Sequence, residues 1–266
     1  MNNFKKYFFR NLFIILVFIF LFFPIFVLVL YSFNSSKMNI LFEGFTFDWY
    51  IKLFENKNLL DAFKNTILIA IISTIISTII GTISAVGLKK YKFFGKGIIE
   101  KLIYIPIVMP EIVLGIALLS SFTLVKLELG LFSVLIAHIA FSVPFVITSV
   151  ASSLDNLPKE YEEAAEDLGA GKFKSFFYIL LPLIKPGIVS GALLSFTLSL
   201  DDVVISFFTA GPGTNTLPLY IYSVIKTGIT PDVNALTTLM LIITATILII
   251  SAFYQSRKIT SLGKNK

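Results

Sequence analysis

Long uncharged runs bounded by charged residues recur along the 266-residue chain. Arg10 and Lys37 enclose 26 uncharged residues, Lys64 and Lys89 enclose 24, Glu128 and Asp155 enclose 26, and Asp232 and Arg257 enclose 24. Lys101 and Lys126 enclose another 24 positions, interrupted by Glu111 alone. At a rise of about 1.5 Å per residue, each run can cross a hydrocarbon layer of about 30 Å as a helix. A further stretch starts near Pro186 and stays mostly apolar to Ala210, broken by the adjacent Asp201 and Asp202. The pattern predicts an all-α polytopic membrane protein with six transmembrane helices, a single transmembrane domain over residues 1–266. The first run is too long for the apolar core of a signal peptide and lacks a small-residue cleavage site after it, so it reads as an uncleaved helix. The chain has no internal repeat and no low-complexity segment.

Composition agrees with the pattern. The chain is 56% hydrophobic and 14% charged, where a soluble domain carries about 25% charged residues. With no cysteine and His138 as the lone histidine, disulfides, thiol catalysis and cysteine- or histidine-clustered metal sites are excluded. The net charge of +6 is a matter of topology. Sixteen Lys/Arg residues fall in the amino-terminal tail, residues 89–101, residues 155–187 and the carboxyl tail, against six on the other side. Basic residues collect in the cytoplasm, so both termini and the 155–187 connection are expected there. This distribution argues against nucleic acid as a partner.

That connection is unlike the rest. "EEAAEDLGAGKFKSFFYILLPLIKPG", Glu162 to Gly187, sets acids and lysines between two apolar runs. Pro158 suits a first helical turn, Lys159 to Leu168 reads as a helix with acids near its positive end, and Gly169 as its left-handed stop. A second helix is expected from Lys172 to Leu181, halted by Pro182. Tyr161, Ala164, Ala165 and Leu168 share one narrow apolar face. A membrane-surface helix normally carries lysines on its polar face. Glu160, Glu162, Glu163, Glu166 and Asp167 instead favour a protein partner.

Glu163-Ala164-Ala165, three residues, Gly169, nine residues, Ile179, one residue and Leu181-Pro182 matches the EAA loop of ABC-importer permeases at every fixed position. The chain thus resembles that family, which implies the type I importer permease fold and a coupling loop, about 155–187, docking on a separate ATPase. The resemblance implies that Glu163 contacts the ATPase and that Gly169 provides the turn. No G-x4-G-K-[ST] phosphate loop occurs in the chain. The expectation is a non-catalytic transport subunit without a cofactor of its own, ATP and Mg being bound by the partner ATPase.

"YSFNSS" (31–36), "GFTFDWY" (44–50), "MPEIVLGIALL" (109–119), "SFTLSLDDVVISFF" (195–208) and "LPLYIYSVIKTGITPDVNAL" (217–236) are similar to spermidine/putrescine permeases of the PotC type. That similarity covers nearly the whole chain. It implies a bacterial inner-membrane location, a related PotB-like second permease in a heterodimer, two ATPase copies and an external polyamine-binding protein. Parts of these stretches are shared by permeases for iron and sulfate, so an importer for a different small solute stays open. An ion-coupled secondary transporter using Glu111 and Asp201 also stays open, as does a membrane scaffold, although neither requires a docking site for an ATPase.

The charges inside the runs support a cationic cargo. Glu111 lies ten residues past Lys101, about 15 Å into the membrane, and Asp201 about 22 Å along a helix beginning at Pro186. A carboxylate at such a depth costs a few kcal/mol and usually faces a cavity. Pro106 and Pro110 can break the third helix just before Glu111, as transporter sites often require. Adjacent acids cannot face the same way on a helix, so Asp201 is assigned to the pathway; an interface ion pair is the alternative for each acid. The resembling permeases usually carry Asp at the position of Glu111. Trp49, in the external 32–64 loop, either stacks on an ammonium group or anchors the loop at the membrane interface. His138 is expected in a helix–helix hydrogen bond. "GPGTNT" (211–216) is expected to be a flexible external loop that faces the binding protein.

Overall fold

The computed structural model describes residues 2–36, 41–158, 160–167, 169–225, 231–243 and 245–246. Among the described residues regular structure is helical: α1 (Asn2–Tyr31), α2 (Asp48–Glu55), α3 (Lys57–Lys90), α4 (Lys96–Val108), α5 (Glu111–Leu124), α6 (Leu131–Asp155), α7 (Glu160–Asp167), α8 (Lys172–Ser175), α9 (Leu181–Asp201), α10 (Val204–Thr209), α11 (Leu217–Ile225) and α12 (Pro231–Ile243). One isolated bridge pairs Asn34 with Phe45. The chain forms two compact units, residues 1–60 with 223–266 and residues 61–222.

In the first unit α1 is apolar around its whole circumference, and none of its most apolar stretch is buried within the chain. Its Phe, Leu and Ile side chains are therefore left for lipid or another subunit. At its end, the residues after Tyr31 fold back into a small polar and aromatic knot that holds Trp49.

The second unit is built on α3, α6 and α9. On α9, Gly187, Gly191, Ser195 and Ser199 recur every four residues and are all buried. Small residues at this spacing let helix backbones approach where lipid supplies no hydrophobic drive between helices. A Cβ at Gly187 would lie 2.5 Å from Ser153 Cβ, and one at Gly191 would lie 3.1 Å from Val146 Cα, both on α6. Across the other side, Ser77 and Ser195 share a hydrogen bond of 2.8 Å, as do Ser73 and Ser199 at 3.1 Å. One apolar core gathers Ala85, Val86, Val146, Ile147, Val150, Leu180 and Ile184, and another gathers Phe122, Ala137, Phe141 and Ile205. Overpacking a close helix contact costs about 1–3 kcal/mol. Gly187→Val is therefore expected to lower the thermal midpoint of the detergent-solubilised protein by several degrees. Gly97→Ala, where nothing lies within 4 Å, leaves it unchanged or slightly raised; equal midpoints for the two variants would contradict the close packing.

Among the described residues four helices are long and apolar enough to cross a membrane: Tyr7–Tyr31, α3, α6 and the continuous Lys172–Asp201. The break expected before Glu111 is present, and two sequence expectations change. The run from Lys101 to Lys126 is not a straight rod, because α4 and α5 meet at a bend of 114° around Met109–Pro110. At about 20 Å each, neither half crosses alone. Pro110, which has no N–H to donate, ends the first half, while Pro106 is tolerated inside α4.

Pro182 does not stop the helix that begins at Lys172. A π turn over Phe176–Leu180 joins α8 to α9, with Leu181 N–H donating to the carbonyl of Phe176. That extra residue per turn resets the register, so Pro182 falls in the first turn of α9, where a missing N–H leaves no gap. The span expected to start near Pro186 thus starts 14 residues earlier, at Lys172. Of the run between Asp232 and Arg257, α12 is described and apolar; residue 244 and residues 247–257 lie outside the described residues, so the sixth span is not counted.

Candidate functional site

The 155–187 connection lies in the second unit. Gly169 adopts φ of 77°, the left-handed conformation expected of it, and turns the chain between α7 and α8. Glu163 is exposed and lines an open groove of about 1000 Å³ together with Lys172, Phe173 and Phe176. Among the described residues its carboxylate makes no hydrogen bond or ion pair within the chain. Ala164, on the expected apolar face, is exposed, and Ala165 lies on the same short helix. Tyr161, Phe173, Phe177 and Tyr178 leave 44–78% of their surface exposed. Leu181 and Pro182 begin α9, half-buried and exposed respectively, so the motif's last residues belong to the membrane-crossing helix itself.

Glu111 opens α5 directly after the break and is exposed. Its carboxylate therefore sits at the positive end of a helix, where backbone N–H groups favour it. The Pro110 carbonyl accepts from Val113 N–H at 2.9 Å, so the new helix starts at once. One turn on, Gly115 is pressed against the ring of Phe208, where a Cβ would come within 2.5 Å. This fixes α5 on α10.

Asp201 and Asp202 part company at a second break. Asp201 is the last residue of α9 and is exposed. Asp202 is extended, with φ −64° and ψ 126°, and its side chain is only 6% exposed. Its Oδ1 accepts from Ile205 N–H at 3.0 Å and its Oδ2 from Ser206 N–H at 2.7 Å, capping the first turn of α10. His138 Nε2 lies 3.3 Å from the same Oδ2 and 3.1 Å from Ser206 Oγ, while Nδ1 meets Ser199 Oγ at 2.7 Å. His138 thus bonds helix to helix as expected, with both ring nitrogens engaged. The line Ser73–Ser199–His138–Asp202 is nearly closed to solvent. The serines were missed in the sequence, although their four-residue spacing inside apolar runs was a readable signal. No hydrogen bond or ion pair joins Glu111 to Asp201 among the described residues.

Trp49 belongs to the first unit. Its Nε1 donates to the Asn34 carbonyl at 2.6 Å, and Lys52 Nζ sits 4.6 Å from its ring centroid. The fully buried Asn34 also donates to the Leu41 carbonyl and accepts from Glu43 N–H, and Ser32 Oγ shares a hydrogen bond with Tyr50 Oη at 2.8 Å. Phe33 stacks on Phe45 at 4.8 Å. The stretches 31–36 and 44–50 therefore form one knot around Asn34.

The 211–216 segment is irregular, yet it is not loose. Gly211 packs directly on the Leu129 carbonyl, leaving no room for a Cβ. Asn65 Nδ2 donates to the Asn215 carbonyl at 3.1 Å, and Leu217 N–H to Thr66 Oγ1 at 2.7 Å. Its two ends are anchored on different elements of the second unit.

The chain is 40% identical over 247 residues to the spermidine/putrescine transport system permease protein PotC of Haemophilus influenzae, covering 93% of this chain and 96% of that one. It is 38% identical over 239 residues to the putrescine transport system permease protein PotI of Escherichia coli, covering 87% and 85%. A crystal structure of a bacterial ABC transporter involved in importing the acidic polysaccharide alginate superposes with a TM-score of 0.74. It covers 94% of this chain and 96% of that one at 16% identity, so the likeness is one of fold. Residues 77–257 match the family of binding-protein-dependent transport system inner membrane components, and the chain belongs to that family.

Proposed function

We propose that this chain is the permease subunit of an ATP-driven importer for polyamines, spermidine or putrescine, delivered by an external binding protein. The observation that carries the reading is the near-full-length similarity to relatives named as polyamine permeases. The whole chain acts as one transmembrane domain in the bacterial inner membrane, with both termini and the coupling loop in the cytoplasm. A related PotB-like permease pairs with it, and two ATPase copies bind ATP and Mg and perform the hydrolysis. The chain itself catalyses no reaction.

Docking falls to the segment around Glu163, Ala164, Ala165 and Gly169, with Leu181 and Pro182 carrying motion into the span. The unbroken helix from Lys172 to Asp201 supports this, since 30 residues span about 45 Å at helical rise. ATPase closure at one end then reaches Asp201 at the other. Glu111 and Asp201 offer carboxylates to the cationic cargo, and the Trp49 face, now under Lys52, offers a place where an ammonium group replaces that lysine. The 211–216 segment faces the binding protein.

Cells lacking the gene are expected to lose uptake of labelled spermidine or putrescine at least tenfold and to regain it when the gene is restored. Competition between the two amines ranks them. Unchanged uptake of both would remove the polyamine assignment.

A further inference from the structure

The two adjacent carboxylates Asp201 and Asp202 have opposite environments, and His138 is the group that divides them. We propose that His138 is a positioning residue for transport: by holding Asp202 in the break between α9 and α10, it keeps Asp201 turned out toward the cargo path. The inference rests on the reading of Asp201 as a pathway residue.

The geometry is specific. His138 sits on α6 with 1% of its surface exposed and spans both sides of the break. Through Nδ1 it holds Ser199, two residues before Asp201, and through Nε2 it reaches Asp202 and Ser206, which follow it. Ser199 is in turn tied to Ser73 on α3. The residues flanking Asp201 are therefore clamped to α6, while Asp201 has no such tether among the described residues.

The break is also expensive to hold open without the clamp. Were α9 to continue through residue 202, the backbone carbonyls freed at its end would find helical partners again. Against that stands the Asp202 carboxylate, which satisfies two N–H groups of α10 and is itself satisfied by the imidazole. With the imidazole gone, a buried carboxylate loses a partner, which is a costly state. The chain can then relax by rotating Asp202 outward and Asp201 with it, since neighbouring residues on a helix point about 100° apart.

Because the chain has no cysteine, Asp201→Cys gives a single thiol whose reaction with a positively charged, water-soluble methanethiosulfonate reports the exposure of position 201. The full importer is labelled in native membranes, with rates normalised to the amount of chain present. Removing a hydrogen-bonding partner of a charged group typically shifts an equilibrium about tenfold. Adding His138→Ala is accordingly expected to slow labelling about tenfold, a loss His138→Gln restores in part by keeping a donor near Asp202. Ser77→Ala, which loses a bond from α3 to Ser195 on α9 but none to His138, is expected to leave the rate unchanged. Equal rates in His138→Ala and the parent overturn the proposal, as does equal slowing by His138→Ala and Ser77→Ala. If His138→Ala does not accumulate, His138→Gln decides: a rate below the parent's and distinct from that of Ser77→Ala supports positioning, and a rate equal to the parent's overturns it. Labelling is independent of cargo, so it separates from uptake by Asp201→Asn: normal uptake in that variant removes the pathway reading whatever the thiol reports.

Discussion

Asp201→Asn is expected to raise the amine concentration for half-maximal uptake by about tenfold or more, with the amount of chain in the membrane unchanged. A hydrogen bond between charged groups contributes about 1.5–3 kcal/mol, and about 1.4 kcal/mol is a factor of ten. The position strengthens the charge. Asp201 closes a 21-residue helix, so the orphan carbonyls and negative dipole end of α9 add to its carboxylate in attracting a cation. Glu111 is placed oppositely, at the positive end of α5, where the same dipole offsets part of its charge. Glu111→Gln is therefore expected to have the smaller effect, about threefold on the dipole's scale of 0.3–1 kcal/mol. Uptake curves for the two variants, measured beside the parent, test the order as well as the size. A larger effect from Glu111→Gln would show that helix direction does not set the potential of this pathway.

Glu163→Lys is expected to separate the chain from its ATPase and to reduce uptake to background. Glu163 lines the groove between α7 and the start of the long helix, exposed and unpaired within the chain among the described residues, with Lys172 and exposed aromatics nearby. Removing a charge-assisted hydrogen bond from the docked complex costs about 1.5–3 kcal/mol, and reversal of sign adds repulsion. Together these weaken docking by about a hundredfold or more. Glu163→Gln, which keeps the shape and an acceptor oxygen, has a smaller effect. The check is recovery of the ATPase subunit with the affinity-tagged chain, alongside thermal unfolding of the permease itself. Undiminished ATPase recovery with Glu163→Lys would remove this residue from the docking surface. Loss of ATPase together with a lowered melting temperature would assign the effect to folding instead.

The apolar runs that became Tyr7–Tyr31, α3 and α6 and the left-handed turn at Gly169 were legible in the sequence. Each depends on local chemistry: an apolar run long enough for the bilayer, a residue without a Cβ. The tertiary structure decided the features that local chemistry leaves open. Prolines announced a break near residue 110, but the 114° bend needed Gly115 seated against Phe208. Pro182 read as a stop until the π turn absorbed it. Asp201 and Asp202 are chemically identical neighbours, and only Asp202 meets the amides of Ile205 and Ser206 and the ring of His138, more than sixty residues away in sequence. Trp49 read as a stacking face for an ammonium group or as an interfacial anchor, and folding brings Lys52 over its ring. A helix in lipid is specified by its own residues because every backbone group is satisfied within it. Where helices break, and which polar group each break exposes, depends on partners far along the chain, such as Ser73 on Ser199 across 126 positions.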